Sequence, residues 1–304
     1  RPDCLGIVGI AREVSVLLGR EFKANKVFSV ENKIDDVFPV EVVDKKACPR
    51  YLCRIIKGVN QKAKSPLWMV ERLRRCGIRA VSPIVDVTNY VMLEYSQPLH
   101  SFDLNKLNDK IVVRQAEQGE KLTVLSGEEI SLKPNTLVIA DSKGAVGLAG
   151  IFGGLNSGID DNTTDVLLES AFFHPDAIKG RARQYGLDTD ASHRFERGVD
   201  HDNQRRAIER ATELLIEIAG GSAGPVTEAV SEDDLPKHER INVRLAKIAK
   251  VLGKEIDDDT VYTILHNLEL DPQKIDGGYS VVSPSFRFDI EIEEYWVGAP
   301  DKNG

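Results

Sequence analysis

The sequence predicts a mixed α/β core of the α+β kind, followed by a small domain of two helices and a β-ribbon. Three observations carry this. Between residues 110 and 170, short apolar runs alternate with glycines, the pattern of strands joined by tight turns. Residues 203–219 place Ala207, Ile208, Ala211, Leu214, Leu215 and Ile218 on one helical face, with Gly220-Gly221 as the stop. After a stretch at 222–239 rich in acids and prolines, two capped helical patterns precede Gly277-Gly278 and an alternating segment at Tyr279–Ser283.

Composition narrows the class. The 304 residues suffice for about two domains. Hydrophobic residues at 41% and charged residues at 29% describe a folded globular protein. No apolar run approaches the roughly 20 residues of a membrane span. Arg1-Pro2-Asp3-Cys4 is not a signal peptide, and no initiating Met is present, so the sequence reads as the interior of a longer protein, cut at both ends. A net charge of −8 argues against a generally basic nucleic-acid binder. Cys4, Cys48, Cys53 and Cys76 form no C-x-x-C pair; they read as buried free thiols in a reducing compartment, with Cys4 and Cys76 on apolar helical faces.

Along the chain, residues 3–18 predict a helix capped by Asp3, with Cys4, Ile7, Ala11, Val14 and Leu18 as its apolar stripe. Strands are expected near Val27–Glu31 and at Tyr51–Ile56, the latter burying Cys53 and Ile55. Ser65-Pro66 opens a helix closed by Gly77. Residues 80–95 hold short apolar runs, Pro98 marks a break, and His100 is expected to follow a turn or loop. Pro175 starts a helix ending near Gly186, and Asp190 caps a short one through Arg197. In the last part, Asn242 and Asp258 cap the two helices, and with the ribbon they suggest a winged-helix-like module. A DNA-reading helix is basic, whereas the second helix here opens Asp257-Asp258-Asp259, which argues against DNA binding.

The chain has no P-loop, dinucleotide fingerprint, zinc-protease motif or serine elbow. The glycine-rich run Gly147–Gly154 lacks the G-x-G-x-x-G order; it suits either turns between packed strands or a backbone wall for a small ligand. Thr88, Asn89 and His100 sit at the ends of apolar runs, and Glu169 follows Val166-Leu167-Leu168. These groups suit a convergent site or a structural hydrogen-bond network. The basic cluster His174, Arg181, Arg183, His193, Arg194, Arg197, His201, Arg205 and Arg206 suits RNA phosphates or internal ion pairs.

Longer stretches carry a resemblance. RPDCLGIVGIAREV at 1–14, DVTNYVMLEYSQPLHSFDL at 86–104, GLAGIFGG at 147–154 and LESAFFHPDAIKGRARQYGLDTDASHRFERGVD at 168–200, with SPSFRFDIEIE at 283–293, resemble the bacterial-type beta subunit of phenylalanyl-tRNA synthetase. The resemblance implies a B3/B4-type core over 1–221, a linker at 222–239, a B5-like domain at 240–294 and a divergent tail at 295–304. It implies an editing site that hydrolyses tyrosine mistakenly esterified to tRNA(Phe). It also implies an alpha subunit as partner in an alpha-2 beta-2 assembly, and a cytoplasmic setting. ATP and magnesium would serve the complete enzyme, and this chain alone would bind neither.

Residue by residue, the family's editing pocket falls on Thr88 and Asn89 of VTNY, His100 of QPLH, Gly150, Glu169 and Ala191. Glu169 would accept the tyrosine hydroxyl, which phenylalanine lacks; Gly150 and Ala191 would line the ring; His100, Thr88 and Asn89 would orient water and substrate. The family's magnesium ligands fall on Asp289 and, further on, Tyr295, Gly298 and Ala299. One carboxylate is a poor magnesium site, so no magnesium is expected there.

Overall fold

A computed structural model describes residues 1–23, 26–290 and Glu293. The chain divides into two units, one of residues 25–235 and one joining 1–24 to 236–304. The expected helix at 3–18 is a 3-10 turn at Asp3–Leu5 followed by α1 (Ile7–Leu17), which starts at Gly6 rather than at an Asp3 cap. Its supposed apolar stripe is largely outward: Ile7, Val14 and Leu18 are exposed. The buried side chain is Arg12, whose guanidinium lies 3.8 Å from the Phe286 ring and bonds Glu269 at 2.9 Å.

The larger unit comprises β1 (Val40–Val42), β2 (Arg50–Lys57), α2 (Leu67–Arg75), α3 (Pro83–Tyr95), β3 (His100–Asp103), β4 (Ile111–Gln115), β5 (Lys121–Thr123), β6 (Glu129–Ser131), β7 (Leu137–Asp141), β8 (Gly144–Leu148), β9 (Phe152–Gly153), β10 (Val166–Phe172), α4 (Pro175–Ile178), α5 (Arg181–Tyr185), α6 (Asp190–Phe195), α7 (Gln204–Ala219) and β11 (Ser222–Val230). Val27–Glu31, expected as a strand, is irregular. One sheet runs β1-β4-β7-β8-β9, with β1 and β4 parallel and its other pairs antiparallel. The other, β11-β2-β10-β3, is wholly antiparallel. Both faces of β2 and β10 are covered, so Tyr51–Ile56 and Val166–Phe172 are buried without a break.

Residues 222–239 are not simply a linker. Ser222–Val230 pairs with β2 as an edge strand, and the register shifts between Ala223 and Val226. Pro225, which has no N–H to give a ladder, sits in that irregularity, as prolines in sheets do. The run at 80–95 forms a single 13-residue helix, α3. His100 follows the bend at Ser96–Leu99, as expected, and opens a strand. The helix expected from Pro175 is two short ones, α4 and α5, divided at Gly180, whose φ is +75°.

In the smaller unit, β12 (Arg240–Arg244), α8 (Leu245–Leu252), α9 (Asp258–Asn267), β13 (Gln273–Ile275) and β14 (Gly278–Val282) follow. The antiparallel sheet β12-β14-β13 and the two helices enclose Val243, Val261, Leu265, Leu270, Tyr279 and Val281. Asn242 belongs to β12 and caps nothing. Asp257 caps α9 by accepting from Thr260 N, one residue before the expected Asp258. Cys48 and Cys53 are buried, but Cys4 is half-buried and Cys76 exposed, because α2 turns its Met69–Leu73 side inward. Among the described residues, no helix is long and apolar enough to cross a membrane.

Candidate active site

Four elements and the β8–β9 turn converge on a cavity of about 470 Å³ lined by Thr88, Asn89, His100, Gly150, Glu169 and Ala191 together. The residues singled out from the sequence thus share one pocket. Helix α3 supplies Val85, Thr88, Asn89 and Met92, the one-face spacing of a helix. Its start is anchored by Asp86, which accepts from Ser65 Oγ at 2.6 Å and from Val81 N at 2.7 Å. Its end is set by Ser96, in the left-handed region at φ +58°. The buried Gln97 then donates to the Ala171 carbonyl at 2.9 Å and accepts from Gln204 Nε2 at 2.9 Å. That bend delivers the chain into β3 with His100 directly opposite Glu169 of β10.

Opposed strand positions point to the same face, so imidazole and carboxyl enter the cavity side by side. Burial pushes Glu169 up to about 7, only partly offset by a hydrogen bond from Tyr51 Oη to its Oε2 at 2.6 Å. Burial drives His100 down to about 4, so its ring is neutral at physiological pH. Its Nε2 lies out of solvent with no hydrogen-bond partner among the described residues. The His100 and Phe102 ring centroids lie 4.5 Å apart in an edge-to-face arrangement, and Gly153 permits the imidazole's position: a Cβ there would lie 2.7 Å from His100 Cε1.

The opposite wall comes from the β8–β9 turn and α6. Gly150 has φ +67°, and a Cβ on it would approach the Phe195 and Phe173 rings to 2.9 and 3.0 Å. The glycine run therefore serves both readings, turning the chain and exposing backbone to the cavity. Thr189 caps α6 in a reciprocal pair with Ser192 and also donates to the Ile151 carbonyl at 3.1 Å. This fixes Ala191 beside Gly150 in the wall.

Sequence reasoning missed Tyr51 and Gln97. Tyr51 carried a signal: a phenol inside an otherwise apolar central strand needs an acceptor. In the basic cluster Arg194 and His201 are buried, while Arg183, His193, Arg197, Arg205 and Arg206 are exposed; Arg194 bonds Asp190, Arg197 the His193 carbonyl and Arg205 Glu209. Asp289 gives both carboxylate oxygens to Arg287, at 2.7 and 2.8 Å. A divalent cation there would compete with a guanidinium, so the described residues do not fit a magnesium site. Tyr295, Gly298 and Ala299 lie outside the described residues. Among the described residues, no group of three or more His, Cys, Asp or Glu could hold a metal ion.

The pocket lies within residues 47–220, which match the B3/4 domain, and the chain belongs to that family. Residues 241–294 match the tRNA synthetase B5 domain. Over 294 residues the chain is 53% identical to the phenylalanine–tRNA ligase beta subunits of Pectobacterium atrosepticum and Dickeya dadantii, covering 97% of this chain and 37% of each relative. It is 52% identical to that of Pseudoalteromonas translucida, with the same coverage. The resemblance read from the motifs to phenylalanyl-tRNA synthetase beta subunits, components of a ligase, therefore holds; the chain spans little more than a third of those relatives' length.

Proposed function

We propose that this cavity hydrolyses tyrosine wrongly esterified to tRNA(Phe), as the editing site of a phenylalanine–tRNA ligase beta subunit. The observation that carries the reading is the pairing of Glu169 with His100 on one wall of the pocket. An aminoacyl ester is already activated, so positioning a water is the main requirement. Water adds to the ester carbonyl carbon, the bond to the terminal ribose oxygen breaks, and that oxygen leaves as an alcohol carrying a proton. The neutral imidazole of His100 orients the water through Nε2, while Thr88 and Asn89 hold the substrate's polar end.

Glu169 accepts the phenolic O–H of tyrosine; phenylalanine would leave the buried carboxyl without that partner. Sites built around a substrate hydroxyl reject its analogue by as much as ~10⁴-fold. In this reading the chain works with an alpha subunit in an alpha-2 beta-2 enzyme, binds tRNA(Phe) and acts in the cytoplasm. ATP and magnesium serve aminoacylation elsewhere in the complete enzyme. The acidic start of α9 speaks against DNA recognition by the smaller unit.

The test is release of free tyrosine from tyrosyl-tRNA(Phe) by the complete enzyme carrying His100→Ala. A fall of at least about 10²-fold is expected, the usual scale for a lost catalytic group. An unchanged rate sinks the assignment.

A further inference from the structure

The Glu169 carboxyl is not left to the substrate alone. Tyr51, two residues from Cys53 on β2, reaches across to donate its hydroxyl to Oε2 at 2.6 Å. Cys53 is the β2 residue opposite Glu169 and Tyr51 is opposite Ala171, so the phenol approaches along a diagonal of the sheet face. Tyr51 is fully buried and Glu169 nearly so, which leaves the phenol no water to turn to. The other oxygen, Oε1, has no hydrogen-bond partner among the described residues, and Glu169 lines the cavity.

We infer that Tyr51 is the positioning residue for tyrosine selectivity: by holding Oε2 it locks the carboxyl in one rotamer and reserves Oε1 for the substrate's phenol. The protein thereby uses one tyrosine to prepare the acceptor for another. This inference rests on the proposed editing function and adds the residue that sets its specificity.

The physical argument is preorganisation. An untethered glutamate would have to give up side-chain freedom when substrate arrives, which weakens discrimination. A second donor on the carboxyl also favours its ionised, accepting form. The titratable groups facing Glu169 are His100 from β3, Tyr51 and Cys53 from β2, Cys48 before β2, and Asp190 across the cavity. Burial raises Cys48, Cys53 and Tyr51 and lowers His100, so these four stay uncharged near neutrality. Asp190 is bonded to Arg194. The ionisation read near pH 7 is therefore that of Glu169.

Tyr51→Phe keeps the ring and deletes the one donor. The complete enzyme is assayed as wild type, Tyr51→Phe and Glu169→Gln, with tyrosyl-tRNA(Phe) and phenylalanyl-tRNA(Phe) as substrates, from pH 5.5 to 8.5. For Tyr51→Phe, preference for the tyrosyl ester should fall about 10-fold, the worth of one hydrogen bond to a charged group. The loss should appear in KM for the tyrosyl ester, with a wild-type far-UV circular dichroism spectrum showing that the variant is folded. The midpoint of the pH dependence should also move upward. If Tyr51→Phe keeps both the wild-type preference and midpoint while Glu169→Gln loses preference, the inference about Tyr51 is overturned and the editing reading stands. If Glu169→Gln also keeps its preference, both fall.

Discussion

The two faces of the sheet β11-β2-β10-β3 treat buried charge in opposite ways. On the side of α7, Arg54 is 1% exposed, and every branch of its guanidinium is engaged. Its Nε donates to Gly224 O at 2.7 Å, Nη1 to Glu209 Oε2 at 2.8 Å, and Nη2 to Val30 O and Asn32 Oδ1 at 2.8 and 2.9 Å. Glu209 is completed by Val30 N and Arg205 Nε. On the cavity side, among the described residues Glu169 receives only the Tyr51 hydroxyl, and His100 Nε2 has no partner. A completed network is a fastening, here tying residues 29–32 to the core; an incomplete one has capacity to spare for a ligand. The contrast separates structural from functional charge within a single strand pair.

The largest test of this contrast is Arg54→Met. It leaves Glu209 buried without its main partner, and unfolding by urea should show a loss of ~3–5 kcal/mol. Replacing both, Arg54→Met with Glu209→Leu, should recover most of it; no recovery would mean that the pair is not the fastening. Glu169→Gln is expected to behave oppositely. The carboxyl's folded pKa, about 7, lies above its ordinary 4.5, so its contribution to stability is full below pH 4.5 and is lost as pH rises through 7. The uncharged amide removes that dependence, so the variant should gain about 3 kcal/mol relative to wild type at pH 8 compared with pH 4.5. Equal shifts at both pH values would show that Glu169 is paired after all. Smaller still, Gly150→Ala should cost ~1–2 kcal/mol, from its positive φ and the Phe195 and Phe173 rings. It should also reduce tyrosine binding, measured by calorimetry, by narrowing the cavity wall.

How much was legible varied with the kind of signal. The pocket residues could be found because they lie in short distinctive motifs, VTNY, QPLH, GLAGIFGG, LESAFF and DASHRF, and the fold brings all of them to one cavity. Helix α3 was not recognised as such because most of it is buried on several sides, leaving Ile84, Val87, Val91 and Met92 with no polar face to give a period. Strand β11 was hidden by Gly224 and Pro225, which signal a linker in isolation yet occupy an irregularity at a sheet edge. The stripe on α1 follows helical periodicity but faces outward, because Arg12 is the side chain that packs on Phe286. Tyr51 needed the third dimension: its partner is far along the chain, and only the diagonal of the ladder brings them into reach.

The anchoring of Gln97 has a consequence for how such a pocket can change. Its amide ties the approach to β3 to the backbone of β10 and to the first turn of α7. Adding or deleting one residue between Gln97 and His100 would invert the parity of the strand, sending the imidazole toward α7 and presenting a neighbour's side chain to the carboxyl. The spacing of Gln97-Pro98-Leu99-His100 is thus a ruler, and length changes in this family should collect anywhere but between those four marks.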